Sequence, residues 1–313
     1  MKTIILKETG GVENFFIKDT KIPVVNNNEV LIEVKAISIN PVDYKVRANS
    51  DVLKMIFGGS KIIILGWDIA GVVVAVGNEV SEFKTGDRVF GMVNFPGMGN
   101  AYAEYLTAPK NHLAKIPSNI SFEAAAATTL AALTALQVLE PRIKKGDRVL
   151  IHAGSGGVGH FAIQIAKWLG AYVITTSSSK NKNFVMSLRA DEHIDYRAQA
   201  FQDVLTDVDF VFDMFNGDIL LNSIKVVKNG GEIVSIPTPV FSNDVLNLAK
   251  ERNIKVSNIM VQSNGKDMNT LKSLLEKGAI KPFISKTFVF EDIGKAHLQL
   301  ESGRTVGKVV VTV

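Results

Sequence analysis

A run of six residues, Gly154-Ser155-Gly156-Gly157-Val158-Gly159, constrains this chain more than any other. The stretch before it, Arg148-Val149-Leu150-Ile151-His152-Ala153, is short, apolar and strand-like. From Val158 onward, Phe161, Ile165 and Leu169 fall near one helical stripe. A strand that runs through a glycine turn directly into a helix is the unit that receives a pyrophosphate. Gly154 permits the tight turn, Gly156 lets a phosphate approach the backbone, and Gly159 lets the helix lie close to the sheet. The N–H groups of the turn, those of Ser155, Gly157 and Val158 among them, then face the anion together with the positive end of the helix dipole. The alternative is a flexible surface turn, and the residues that follow argue against it.

Beyond the turn, strand-like and helical runs alternate. Strands are expected at 148–153, 172–176, 193–196, 210–215, 232–236 and 255–261, with helices at 158–169, 182–189, 219–227, 243–251 and 267–276. That alternation predicts an α/β chain with a doubly wound parallel sheet. The first third reads differently. Strands at 29–37, 69–77, 88–91 and 101–107, separated by turn residues, predict a small barrel or sandwich. Ser121 is placed to cap one helix running from Phe122 to Leu139, with Pro141 beyond its end. The tail returns to β character at 285–290 and 308–313, around a helix at 293–301, and is expected to rejoin the first third.

The end of the second parallel strand bears on which dinucleotide is held. An NAD site usually offers the ribose diol a carboxylate about twenty residues after the glycines. Here the chain reads Thr175-Thr176-Ser177-Ser178-Ser179-Lys180-Asn181-Lys182, without an acid. Ser177, Ser178, Lys180 and Lys182 suit a 2′-phosphate. Tyr196 and Arg197, after the third strand, are placed beside the same pocket. The expected cofactor is therefore NADP(H). The plainer alternative is a helix start, with serines as caps and lysines as surface residues.

Composition excludes several classes. With 313 residues, 46% hydrophobic and 21% charged, the chain can bury two cores. Its net charge of +4 is spread along the sequence and forms no basic arm, so no nucleic-acid partner is expected. The absence of cysteine rules out disulfides, thiolate nucleophiles and Cys-based zinc sites. No run approaches the ~20 apolar residues of a membrane span. The Thr3–Leu6 stretch is too short for a signal sequence. A cytoplasmic protein with no membrane partner is expected.

Taken together, the motifs resemble the medium-chain dehydrogenase/reductase superfamily, and within it the zinc-independent quinone oxidoreductase and enone reductase branch. The resemblance rests on Asn40-Pro41-Val42-Asp43-Tyr44-Lys45, Gly66-Trp67-Asp68-Ile69-Ala70-Gly71 with Val76-Gly77, Gly86-Asp87-Arg88-Val89, His152 to Gly159, and Gly303-Arg304-Thr305-Val306-Gly307-Lys308. It implies a GroES-like β-barrel catalytic domain of residues 1–120 and 285–313, a Rossmann domain of residues 121–284, and an active site in the cleft. It also implies a homodimer or homotetramer paired through the last Rossmann strand.

In zinc-dependent relatives a metal-binding Cys lies where Asn40 stands, and a Gly-His-Glu motif lies near Gly66-Trp67-Asp68. Trp67 cannot ligate zinc, and His112, His152, His160, His193 and His297 show no ligand spacing, so no bound metal is expected. The resemblance then implies hydride delivery from NADPH to a small apolar quinone or α,β-unsaturated carbonyl. Hydrogen-bond donors near Asn40, Tyr44 and Lys45 would stabilise charge on the carbonyl oxygen, with Lys45 holding the cofactor and not transferring protons. Asp43 is expected to stabilise its local turn or to pair with a base. Thr128 and Thr134 are either nicotinamide neighbours or helix-packing residues. Ile236 and Pro237 are expected near the nicotinamide, and Gly307 and Lys308 are expected to close over the cofactor from the tail. The loop from Phe90 to Tyr102 either lines the acceptor pocket or is anchored in the core by Phe95 and Met98. An NADP-linked alcohol or aldehyde dehydrogenase and a non-catalytic NADPH-binding sensor are the competing functions.

Overall fold

The computed structural model describes every residue except Lys61 and Thr238. In chain order its strands are β1 (Lys2–Leu6), β2 (Phe15–Asp19), β3 (Glu29–Ile39), β4 (Asp68–Val76), β5 (Arg88–Met92), β6 (Tyr105–Pro109) and β7 (Leu113–Lys115). Next come β8 (Arg148–Ile151), β9 (Tyr172–Ser177), β10 (Glu192–Asp195), β11 (Val208–Asp213), β12 (Val227–Ser235) and β13 (Lys255–Ser257), and finally β14 (Ile284–Val289) and β15 (Lys308–Thr312). Two compact units result: Met1–Leu133 with Val261–Val313, and Thr134–Met260. These boundaries differ from the 120/121 and 284/285 divisions expected from the sequence. The helix Gly265–Glu276 packs on β7, so it belongs to the first unit. The helix Phe122–Ala127 does the same against β3 and β4.

In the first unit the main sheet runs β14-β15-β3-β4-β5-β7, with β6 also on β3. Val30, Ile32 and Val34 of β3 are buried and alternate with less buried neighbours, as the pattern predicts. β3 pairs with β4 along its length, with β6 over Glu29–Glu33 and with β15 over Ala36–Ile39. The registers Ile39↔Val309 and Ser38↔Asp68 bring the starts of β15 and β4 to either side of Asn40. β1 and β2 form a separate hairpin whose Ile4, Ile5 and Leu6 are buried.

The second unit holds a wholly parallel sheet in the order β10-β9-β8-β11-β12-β13. Its strand order reverses between β8 and β11, which marks the carboxyl edge there as the ligand crevice of such sheets. Leu150, Ile174, Val211 and Ile233 share one apolar cluster with Leu220, Ile224 and Val245 of the covering helices. Full burial of such side chains is worth about 1.5–3 kcal/mol each. The helix Gly159–Trp168 is buried from Gly159 through Ala166, which explains its apolar composition.

Two expectations are corrected. The helix expected from Phe122 to Leu139 is two helices, Phe122–Ala127 and Leu130–Leu139. The hydroxyls of Thr128 and Thr129 donate to the carbonyls of Ala124 (2.7 Å) and Ala126 (2.9 Å), in competition with backbone pairing. Asp68 Oδ1 then takes the Leu130 N–H at 2.9 Å, where the second helix begins. The last parallel strand spans only Lys255–Ser257, because its partner β12 ends at Ser235, just before Pro237.

Candidate functional site

The glycine turn follows β8 at the carboxyl edge of the parallel sheet. The left-handed residue is not Gly154 but Ala153, at φ +49°. Gly154 serves close packing instead: a Cβ there would meet Thr175 Oγ1 at 1.9 Å. A Cβ on Gly159 would meet the Ala153 carbonyl oxygen at 2.2 Å, whereas one on Gly156 would meet nothing nearer than that oxygen at 3.2 Å. Gly156 is thus less crowded than Gly154 and Gly159, which fits a close approach of a ligand to its backbone. The helix Gly159–Trp168 begins after Val158 without a side-chain cap, so its first turn keeps the dipole end for an anion. Ser155 Oγ accepts from Asn181 Nδ2 at 3.0 Å, which ties the turn to the segment after β9. These residues fit a dinucleotide pyrophosphate.

β9 and β10 end side by side, with Ser177 opposite Asp195, so Ser177, Ser178 and Tyr196 gather at one edge. Lys180, Lys182 and Tyr196 are exposed there, and the Arg197 guanidinium lies 5.6 Å from the Tyr196 ring centre. Ser177 turns inward: its hydroxyl is 2.9 Å from His193 Nε2 and is spent within the protein. Sequence reasoning also missed an acid. Asp195 Oδ1 accepts the Arg197 N–H at 3.0 Å. That bond, with further hydrogen bonds from Ser179, holds the Asp195 carboxyl below its ordinary value. Ile236 and Pro237 follow β12 on the same edge, with the Ile236 N–H on the Asp213 carbonyl at 3.2 Å. Beside them Asp213, another residue the motifs did not flag, takes the Ser235 hydroxyl at 2.6 Å, and burial raises its pKa. Thr134 is buried within the helix Leu130–Leu139.

In the first unit the helix Pro41–Ala48 starts at Asn40. The Asp43 carboxylate accepts the Asn40 N–H at 2.6 Å, the turn-stabilising role expected of it. Burial pushes Asp43 up to about 7. Asn40, only 1% exposed, does not offer its amide outward. Its Nδ2 donates to Asp68 Oδ2 at 2.7 Å and to the Ser38 carbonyl at 3.4 Å, and its Oδ1 accepts from Lys308 Nζ. This corrects its expected role as a donor to substrate.

Lys308 is corrected with it. The lysine does not close over a cofactor; its amine is buried on Asn40 and the Ile39 carbonyl, 3.9 Å from Asp68 Oδ2. Gly307 sits at φ +63° with a would-be Cβ 2.2 Å from the Phe283 carbonyl, a tight approach within the first unit. Tyr44 is half-buried and Lys45 exposed. Burial, then the Glu301 charge, raises Tyr44 above its ordinary pKa.

The loop before Tyr102 is anchored by Phe95, whose ring stands edge-on to Trp67 at 5.3 Å, while Met98 is exposed. Among the described residues no group of three or more potential ligating side chains is arranged to hold a metal. The histidines have protein partners instead. His297, for example, lies between Tyr102 Oη (2.8 Å) and Arg47 Nη1 (3.3 Å), and burial lowers its pKa to about 3.

Comparison with known proteins agrees with this geometry. Residues 26–118 match the model of the alcohol dehydrogenase GroES-like domain, and residues 188–311 match that of a zinc-binding dehydrogenase. The chain is 34% identical over 306 residues to the 2-methylene-furan-3-one reductase of Solanum lycopersicum, covering 93% of this chain and 73% of the relative. The solved quinone oxidoreductase of Coxiella burnetii superposes with a TM-score of 0.92 at 37% identity, covering 100% of this chain and 99% of that one. The Escherichia coli quinone oxidoreductase, solved in complex with NADPH, gives 0.89 at 28% identity with 100% of both chains covered.

The zinc ion named by the second model does not fit the residues present. The chain has no cysteine, the Trp67 indole N–H is bound to the Gly97 carbonyl at 2.6 Å, and Asn40 and Asp68 face a lysine ammonium. From the nucleotide edge, the Asn40 cluster and these relatives together, the chain belongs to the medium-chain dehydrogenase/reductase superfamily, in its quinone oxidoreductase and enone reductase branch.

Proposed function

We propose that this protein is an NADPH-dependent oxidoreductase that reduces quinones or α,β-unsaturated carbonyls without a metal. The observation that carries the reading is the glycine turn, with Gly156 less crowded than Gly154 and Gly159, at the reversal point of the parallel sheet, followed across β9 by exposed Lys180 and Lys182. The likeness to an enone reductase and to an NADPH-bound quinone oxidoreductase supports it. Bound NADPH supplies a hydride. In this reading the turn from Gly154 to Gly159 holds the pyrophosphate, and Lys180, Lys182 and Tyr196 hold the 2′-phosphate. Ser178, Thr134, Ile236 and Pro237 border the cofactor. Tyr44 is the hydrogen-bond donor for the acceptor carbonyl, since its side chain is only half-buried and the Asn40 amide is spent within the protein. Lys45, one residue on, holds the cofactor or the substrate.

Electron-poor acceptors suit such a site, because hydride adds to the β-carbon of an enone, or to a quinone, without a Lewis acid on the oxygen. Self-association through β13, an edge strand of the parallel sheet, and a cytoplasmic location belong to the same proposal. No helix among the described residues is long and apolar enough to cross a membrane. The deciding experiment follows NADPH oxidation against 2-alkenals, cyclic enones and benzoquinones, with NADH as control. Turnover of at least one class with NADPH preferred is expected. Alcohol oxidation that outpaces every reduction would instead identify a dehydrogenase, and NADPH binding without turnover would identify a sensor.

A further inference from the structure

His152 lies directly behind the glycine turn and touches neither solvent nor any group assigned to the cofactor. Its ring is fully buried, edge-on to Phe201 at 4.8 Å and to Phe215 at 6.4 Å. Its Nδ1 is 3.1 Å from Thr176 Oγ1 and its Nε2 is 3.0 Å from Ser223 Oγ. The proton positions follow from the two ends of this chain. Ser223 Oγ lies 2.8 Å from the Ile219 carbonyl, which can only accept, so the serine proton goes there and Nε2–H donates to Ser223. At the other end the Ala153 N–H donates to Thr176 Oγ1 at 3.3 Å, which leaves the threonine proton for His152 Nδ1. The Ser223 end sets the neutral Nε2–H tautomer, and the Thr176 hydroxyl is placed to donate to the Nδ1 that it leaves bare. Burial keeps the ring neutral, with a pKa near about 3.

Ala153 is the left-handed residue at which the chain leaves β8 for the glycine turn, an unfavourable conformation for a residue with a Cβ. Thr176 holds it from both sides of the peptide: its hydroxyl takes the Ala153 N–H, and its carbonyl takes the Gly154 N–H at 3.0 Å. The Ala153 carbonyl in turn accepts the Gly156 N–H at 2.8 Å and closes the turn. We propose that His152 is a positioning residue for NADPH: through Thr176 it locks Ala153 left-handed and so aims the glycine-turn N–H groups at the pyrophosphate. The inference rests on the reading that this turn holds NADPH.

The test measures NADPH affinity by nicotinamide fluorescence for wild type, His152→Leu, His152→Gln, His152→Asn and Thr176→Val, with a thermal melt for each. Asparagine places an acceptor where Nδ1 stands and so keeps the Thr176 contact, whereas glutamine reaches the Nε2 position and keeps only Ser223. Loss of the Thr176 link is expected to weaken NADPH roughly ten-fold, the size of one well-placed hydrogen bond, in the Leu, Gln and Val variants. His152→Asn is expected to stay within about three-fold of wild type, and kcat is expected to fall less than KM rises in all of them. A role in packing alone would not rank Asn above Gln. Should the Leu and Gln variants not fold, Thr176→Val carries the same expectation. Tight NADPH binding by wild type together with unchanged affinity in Thr176→Val, or equal affinity in the Asn and Gln variants, would overturn the proposal and leave the glycine turn standing. Failure of wild type to bind NADPH would instead remove the reading on which it rests.

Discussion

Asn40 Nδ2 donates to Asp68 Oδ2 at 2.7 Å, and Lys308 binds the other end of the same amide. Burial raises Asp68 and lowers Lys308, and the charge of each opposes the shift of the other. Removing the lysine leaves the buried Asn40 amide oxygen and the Asp68 carboxyl without that partner. Lys308→Met is expected to cost about 3–5 kcal/mol in chemical denaturation. Adding Asp68→Asn should recover much of that loss. A cost below about 1 kcal/mol for Lys308→Met would show that the ammonium is not paired as described.

The glycines of the turn separate folding from binding. Gly159→Ala drives a Cβ to 2.2 Å from the Ala153 carbonyl, so it is expected to lower the melting temperature and weaken NADPH together. Gly156→Ala meets that oxygen only at 3.2 Å. It should lower the melting temperature less than Gly159→Ala does while weakening NADPH about ten-fold or more. A Gly156→Ala protein that binds NADPH as wild type does would place the pyrophosphate elsewhere.

Charge at the end of β9 should discriminate between the two nicotinamide cofactors. The double variant Lys180→Ala/Lys182→Ala is expected to raise KM for NADPH roughly ten-fold and leave KM for NADH within about two-fold. Equal changes for both cofactors would mean that the lysines are surface residues only. Asp195→Asn should make little difference, since that carboxylate is tied to Arg197 and Ser179.

Acid stability depends on the buried imidazoles. Burial lowers His152 and His297 from an ordinary 6.5 to about 3. Below pH 6.5 the unfolded chain takes up a proton that the folded chain refuses, so their contribution is complete above 6.5 and drains away as pH falls toward 3. Asp43, raised to about 7, acts oppositely: its contribution is present below 3.8 and lost as pH rises through 7. The stability advantage of wild type over His152→Asn should therefore shrink between pH 6.5 and 4.5, by up to about 1.4 kcal/mol per pH unit. Urea denaturation at stepped pH checks this, and a constant difference would contradict a neutral His152.

Metal content is a direct check on the Asn40 cluster. The purified protein should carry no stoichiometric zinc by elemental analysis, and a chelator should leave turnover unchanged. Zinc at one per chain with activity lost on chelation would refute the metal-free mechanism.

The alternation of strands and helices after Gly159, and the alternation of burial along β3, were legible because each periodicity reports a local surface that must be buried. The break between Ala127 and Leu130 was not, because Ala and Leu propensity is continuous there and the hydroxyls of Thr128 and Thr129 only compete once Asp68 is beside Leu130. The left-handed Ala153 was hidden for a similar reason: its conformation depends on Thr176, one strand away.

The sequence by itself determined a strand–glycine turn–helix unit, a parallel sheet built around it, a segment after β9 carrying lysines and no acid, and a chain with no thiolate for a metal. Local residue chemistry and spacing suffice for those. Only the tertiary structure decided that Asn40 is spent on Asp68 and Lys308 while Tyr44 is left half-buried. Lys308 stands 268 residues from Asn40 in the chain, and the pairing register Ile39↔Val309 brings them together. A hydrogen bond set by strand register leaves no signature in either segment alone.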